Sequence, residues 1–408
     1  MAAISMLSLL YLTSILAFLH FLDIKISQKL LISHGNHKVR LKKNPDLPLR
    51  FRHDGTFKIL QVADMHYGMG VITRCRDVMS SEFDFCSDLN TTHFLKRMIE
   101  DEKPDFIAFN GDNIFGASTT DAAESMMKAF GPAMESGLPW AAVLGNHDQE
   151  STMNREELMY FISLMDYSVA QTNPAKESMK ENIDGFGNYD LNVYGPPGSH
   201  LANSSLLNLF FLDSGDREIV QGVRTYGWIK ESQLHWLHKV SEGLQFPQGK
   251  FCRFRFSGHT LTGQNQDSSY LPGCQTPALA FFHIPIPEIR QLYYQKITGQ
   301  FQEAVACSFI NTGVLKSFVA MGNVKAVFIG HDHKNDFCGN IAGIWFCYGG
   351  GFGYHGYGKA GWPRRARVIL AELGKGEFAW MGVERIKTWK RLDDEKLSKI
   401  DEQVLWQT

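Results

Sequence analysis

Apolar residues along this chain fall into short β-rich runs at 57–63, 105–110, 139–144, 206–212, 277–282, 324–329, 344–348 and 366–373, each closing on polar residues. Between several of these runs the apolar period lengthens to that of a helix. Residues 91–102 place Phe94, Leu95, Met98 and Ile99 on one face, and residues 155–165 follow Asn154 as a cap with Glu157 three positions on. Residues 229–243 carry Ile229, Leu234, Trp236, Leu237 and Val240, an apolar stripe that reads as core. Strands interleaved with amphipathic helices predict an α/β architecture.

The polar clusters are not random in kind. Five runs end in groups that bind metals: Asp64-Met65-His66, Asp112-Asn113, Asn146-His147-Asp148, His283, and His331-Asp332-His333. Loops at the carboxyl ends of strands in an α/β sheet converge on one crevice, so five strand ends can build a single site. Asp64 and His66 are two apart at the end of an extended run, which predicts side chains on the same side, and His331 and His333 repeat the spacing. Two carboxylates, four imidazoles and an amide oxygen suit iron, zinc or manganese and lack the all-oxygen character of a calcium site. His259 competes with His283 for the fourth position; His283 is preferred because it ends the run Ala278–Phe282.

Composition narrows the class. Of 408 residues, 44% are hydrophobic and 21% charged, values of a chain that buries a large core, and neither a linker nor a repeat divides it. A net charge of −2 and a pI near 6.7 exclude a basic nucleic-acid scaffold. Residues 4–22 are apolar and uncharged, and with 1–27 they read as a signal peptide or membrane anchor, although the lysines that follow resist translocation. Sequons at Asn90 and Asn203 favour the secretory route, with a secreted, vacuolar or membrane-anchored product. Seven cysteines leave at least one unpaired: Cys75 with Cys86 and Cys338 with Cys347 are local disulfide candidates, and Cys252 with Cys274 a third, leaving Cys307. The expected order is a connecting segment over 28–52, one catalytic domain over 53–375 and a C-terminal extension over 376–408.

In their order, D-M-H, G-D-N, G-N-H-D, a strand ending in His and G-H-D-H, the motifs resemble those of the calcineurin-like metallophosphoesterases, and within them the plant purple acid phosphatase group. The resemblance runs from residue 57 to 333 and its strand pattern to about 373. It implies a two-sheet sandwich flanked by helices with two metals at one edge, an iron paired with zinc, manganese or a second iron. It implies that Asp64, His66, Asp112 and His333 hold the first metal, that Asp112, Asn146, His283 and His331 hold the second, and that Asp112 bridges them. The activity implied is hydrolysis of small phosphate monoesters by a hydroxide held between the metals. A phosphodiesterase and a catalytically silent binding homologue are the alternatives. His147 is then the candidate general acid, with Asp148 orienting its ring.

One departure stands out. The purple acid phosphatase pattern G-D-x-x-Y supplies a tyrosinate ligand, whereas this chain reads Gly111-Asp112-Asn113-Ile114-Phe115, and a phenyl ring binds no metal. The resemblance implies that His66 substitutes, since a D-x-H motif fills that position in calcineurin-type and cyclic-nucleotide phosphodiesterase members of the superfamily. The glycine-rich segment Gly349–Lys359 lacks the P-loop ending, and its glycines predict close backbone approach to the metals or a phosphate, with His355 and Lys359 as candidate substrate contacts. Residues 249–273 read as an irregular insertion.

Overall fold

A computed structural model describes residues 11, 13–22, 41–174, 182–245, 276–377 and 379–408. The chain divides into two compact units, Met1–Lys43 and Asn44–Thr408. In the first, residues 13–22 form a helical segment, α1. Among the described residues no helix is long and apolar enough to cross a membrane.

The second unit is built on two main sheets. The first contains β1 (Thr56–Val62), β2 (Phe106–Asn110), β3 (Trp140–Val143), β13 (Arg365–Lys375), β14 (Trp380–Leu392) and β15 (Lys399–Gln407), in the order β15-β14-β13-β1-β2-β3. The second contains β4 (Tyr189–Tyr194), β5 (Ser205–Phe211), β8 (Ala278–Phe281), β9 (Ile297–Thr298), β10 (Val324–Ile329), β11 (Cys338–Ile341) and β12 (Ile344–Tyr348), in the order β4-β5-β8-β10-β12-β11-β9. A separate hairpin pairs β6 (Arg217–Val220) with β7 (Val223–Tyr226). The two-sheet α/β sandwich expected from the resemblance is therefore the fold.

Strands β1, β2 and β3 run parallel, as do β5, β8, β10 and β12. Parallel strands are buried on both faces, and this explains why they appear in the sequence as unbroken apolar runs. Alternate residues of the second sheet divide between two layers: Leu209, Phe211, Leu279, Phe281 and Phe328 face the inter-sheet core, while Phe210, Ala280, Phe282 and Val327 face outward. Phe211, Phe281 and Phe328 stack across β5, β8 and β10 with ring centroids 5.0 and 5.3 Å apart. Helices α2 (Asp88–Glu102), α3 (Ala122–Ala129), α4 (Gly131–Ser136) and α5 (Arg155–Leu164) add Leu95, Met126, Ala133 and Leu158 to the core of the first sheet. Helices α6 (Glu231–Gln245) and α7 (Val314–Met321) add Leu237 and Phe318 to the outer layer of the second. The capping box expected at Asn154 and Glu157 is present, each side chain accepting from the other's backbone N–H.

Two boundaries differ from expectation. Residues 376–408 are not an appendage: β14 and β15 complete the first sheet, and buried Lys390 on β14 pairs with Asp336 at 2.7 Å while Trp389 donates to Glu102 at 2.9 Å. The connecting segment also ends inside the fold, since Leu49 and Phe51 are buried and their backbones hydrogen-bond to Tyr194 at 2.8 Å. Disulfides join Cys75 to Cys86 and Cys338 to Cys347, and Cys307 is a buried free thiol. Cys252, Cys274, His259 and the stretch 249–273 lie outside the described residues, as does all of 1–27 but residues 11 and 13–22.

Candidate metal centre

The parallel strands deliver their carboxyl ends to one place. Asp64 follows β1, Asp112 follows β2, Asn146 follows β3, His283 follows β8 and His331 with His333 follow β10. The backbones there are themselves paired: Asp64 N donates to Gly111 O at 3.1 Å and His66 N to Asp112 O at 2.8 Å. Asp64, His66 and Asp112 adopt φ of 58, 46 and 48°, and His331 adopts 81°. Asp64 and His66 thus converge through left-handed turns rather than through strand alternation, which corrects the extended geometry predicted from their spacing. Four strained residues in one crevice are characteristic of a functional site held by its surroundings.

Donor atoms gather there tightly. Asp64, His66, Asp112 and His333 form one group and Asp112, His283 and His331 another, each group's ligand atoms lying within 4.8 Å of one another, so Asp112 is common to both. His66 Nε2 lies 3.3 Å from Asp112 Oδ2 and 2.9 Å from His333 Nε2. His283 Nε2 lies 3.2 Å from the same Asp112 oxygen. All these residues are buried, and Asn146 Oδ1 and His331 Nε2 have no hydrogen-bond partner. Buried polar atoms without partners are costly, and the His331 nitrogen, inside the group around Asp112, fits a cation as its missing partner.

Outer contacts fix the rings. His283 Nδ1 donates to Asn110 O at 2.8 Å and His333 Nδ1 to Tyr357 O at 2.8 Å, which turns each Nε2 inward. Asn110 in turn donates to Phe282 O and Phe328 O at 2.9 and 2.8 Å, tying the ends of β8 and β10 to β2. Burial holds His66 and His331 well below the usual imidazole range, so both are neutral donors. Burial alone would raise the Asp112 carboxyl, but the His283 ring beside it holds it well below the usual carboxylate range. Burial opposes charge on His283 too, yet Asp112 outweighs it and pushes the ring up to about 9.

The glycines near the site are required by space. A Cβ on Gly111 would sit 2.7 Å from His283 Cγ, one on Gly356 2.8 Å from His333 Cε1, and one on Gly145 would strike Asp112. The glycine-rich segment after β12 therefore packs directly on the cluster. His355, expected to contact substrate, is instead buried with both ring nitrogens engaged, by Arg74 O at 2.7 Å and Ser118 Oγ at 2.9 Å. Lys359 is exposed and hydrogen-bonds to Gln302 at 3.5 Å. Asn203 is exposed, while the Asn90 carbonyl oxygen accepts from Ser87 N in the capping box of α2.

His147 stands at the rim, its ring 5.1 Å from that of His66. Asp148 does not orient it. The Asp148 carboxylate accepts from Ile114 N at 2.9 Å and Gly145 N at 2.7 Å, and its burial, with Asp112 nearby, raises it to about 7. The partner of His147 is Glu150, whose Oε2 lies 2.8 Å from Nδ1, and Arg217 approaches Nε2 to 3.1 Å. Arg217 also holds Glu150 at 2.9 Å and Asn146 O at 2.7 Å. Glu150 is readable in principle as a carboxylate three residues after the histidine, whereas Arg217 has no local signal. Phe115 stacks on His147 at 4.6 Å and sits 5.4 Å from His66, so where a tyrosinate would enter, an imidazole already faces the cluster.

This fold, with carboxylates and imidazoles at the ends of its parallel strands, is that of the metallophosphoesterases. The chain belongs to the calcineurin-like phosphoesterase family, which it matches over residues 57–335. It is 63% identical over 406 residues to an Arabidopsis thaliana protein named "Probable inactive purple acid phosphatase 28", covering 98% of this chain and 96% of that protein. It is 30% identical to Phosphatase DCR2 of Saccharomyces cerevisiae, covering 83% of this chain and 54% of that protein. Among solved structures, a dimetal phosphatase from Danio rerio superposes with a TM-score of 0.48 at 14% identity, covering 86% of this chain and 99% of that one.

Proposed function

We propose that this chain is a two-metal hydrolase of phosphate monoesters, and the observation that carries the proposal is the set of buried donor atoms lacking partners around Asp112. Asp64, His66, Asp112 and His333 would hold one ion, and Asp112, Asn146, His283 and His331 the other. The nitrogen-rich donor set suits iron paired with zinc, manganese or a second iron. When bound, such a pair supplies an activated water and positive charge against the phosphoryl oxygens.

The chain's own groups do the rest. In hydrolysis the water oxygen bonds to phosphorus, the ester P–O bond breaks, and the leaving oxygen needs a proton. His147 Nε2 is the donor we assign, since Nδ1 faces Glu150 and the ring is pinned between that carboxylate and Phe115. Arg217 beside it meets a dianionic phosphate with a guanidinium, which favours monoesters over singly charged diesters. Two disulfides fit maturation in an oxidising compartment, and we place the protein in the secretory route on that ground.

The name of the Arabidopsis relative favours a second reading, a homologue that keeps the fold and the metals but turns nothing over. Turnover of p-nitrophenyl phosphate and bis(p-nitrophenyl) phosphate by protein carrying two metals separates the readings. Monoester hydrolysis above diester hydrolysis is expected. A faster diester reaction would make the chain a phosphodiesterase, and no turnover of either would leave the silent reading standing.

A further inference from the structure

Beside the proposed centre lies a cleft of about 680 Å³ lined by Arg217, Ile219, Arg224 and Tyr226 on one wall and Arg290 and Phe309 on the other. The first wall is the β6–β7 hairpin, which also contributes Glu218 and Thr225. Gln221 and Gly222 turn the chain with φ of 51 and 80°, and the resulting register sets Arg217 opposite Tyr226 and Ile219 opposite Arg224. Residues so paired share a face, so two guanidiniums, an aliphatic chain and a phenol ring are presented together.

The cleft is continuous with the cluster. Tyr226 stands edge-on to His331 with ring centroids 4.4 Å apart, and Arg217 reaches His147. The hairpin is held to the opposite wall through Thr225 Oγ1, 3.3 Å from Ser308 Oγ and accepting from Phe309 N at 3.3 Å. Three arginines share the cleft with one carboxylate, Glu218, which lies 3.9 Å from Lys230. Arg217 has Glu150 and Asp216 as partners, but among the described residues the side chains of Arg224 and Arg290 make no hydrogen bond or ion pair. Phe309 and Ile219 are 52% and 70% exposed, an apolar surface in the same place as the free cations.

We infer that the cleft selects substrates with a second phosphate: small phosphate esters in which a planar or apolar body separates the scissile phosphate from another one. A lone phosphate is far smaller than this space, whereas ligand sites of a few hundred Å³ suit molecules of nucleotide size. Arg224 and Arg290 would take the second phosphate as a fork, with Tyr226 and Phe309 against the body of the molecule. The inference rests on the phosphoesterase reading for which phosphate is cleaved, but not for the binding itself.

Adenosine 3′,5′-bisphosphate is the probe, with adenosine 5′-monophosphate and p-nitrophenyl phosphate as single-phosphate comparisons. Calorimetric binding to the full chain, before and after metal loading, should favour the bisphosphate about tenfold over the monophosphate, and Arg224→Ala with Arg290→Ala should remove that preference. The ratio of kcat/KM for bisphosphate over p-nitrophenyl phosphate should fall in parallel. Arg290→Lys should recover part of the preference, which a structural defect would not permit. A protein that turns over nothing yet binds the bisphosphate through these arginines would keep this inference and end the catalytic reading. A protein that hydrolyses p-nitrophenyl phosphate but binds both adenosine phosphates equally would end the inference and keep the catalysis.

Discussion

The floor of the crevice and its rim are built by different rules. On the floor, seven donor side chains hang from the ends of parallel strands, are buried, and are aimed by backbone contacts such as Asn110 O on His283 and Tyr357 O on His333. At the rim, His147, Glu150 and Arg217 are held by side-chain ion pairs, and the Arg217 side chain is 44% exposed. A buried, backbone-anchored cluster has a fixed geometry and tolerates no change, whereas exposed ion pairs are worth little stability and are free to vary with the substrate. The difference predicts that floor substitutions remove metal and activity together and that rim substitutions change which ester is cleaved.

The sharpest break in that contrast comes from Asp112→Ala, because one carboxylate belongs to both donor groups. Activity should fall on the order of 10³-fold or more, with both metals lost by elemental analysis. Retention of one full metal equivalent would mean that Asp112 does not bridge. His147→Ala should cost roughly 10²–10⁴-fold on an alkyl phosphate and far less on p-nitrophenyl phosphate, which leaves without a proton. Both metals should remain, and equal losses on the two esters would move the proton donor elsewhere. Asn110→Ala lies behind the floor, and it should weaken metal binding about 10–100-fold and lower stability by about 1–3 kcal/mol, measured by metal titration and urea unfolding.

A separate effect is expected with pH. Asp88 is buried behind the first loop, accepting from Gly68 N at 2.8 Å and Gly70 N at 3.1 Å, and burial raises its carboxyl from 3.8 to about 7. The folded protein thus holds a proton on Asp88 between pH 4 and 7 that the unfolded chain releases. Stability from this group is complete below about pH 4, declines as pH rises and is lost above about 7, a cost of at most about 4 kcal/mol. Asp88→Asn cannot ionise, so its stability relative to wild type should rise from pH 4 to pH 8. A difference that stays constant over that range would show that Asp88 is ionised throughout.

The same division explains what could be read from the amino acids. Each floor ligand lies within four residues of a strand end, so Asp64, Asp112, Asn146, His283 and His331 announce themselves as strand ends. Their exact approach did not, because φ near 50° at Asp64 and His66 is dictated by the neighbouring loops rather than by local spacing. Arg217 comes 70 residues after His147, and only the fold brings them together. Strand β15 escaped notice for another reason: it lies at the sheet edge with Leu405 its one buried residue, so no long apolar run marks it. Asp148 misled because adjacency to His147 in the chain suggested contact, whereas its carboxylate points back to Ile114 and Gly145.

The central claim is a cluster that takes two metals, and its most direct test is the metal content of the wild-type chain after reconstitution with iron and zinc and removal of loosely bound ions. Elemental analysis should give two equivalents per chain, and His147→Ala should give the same two. One equivalent or none in folded wild-type protein would contradict the account.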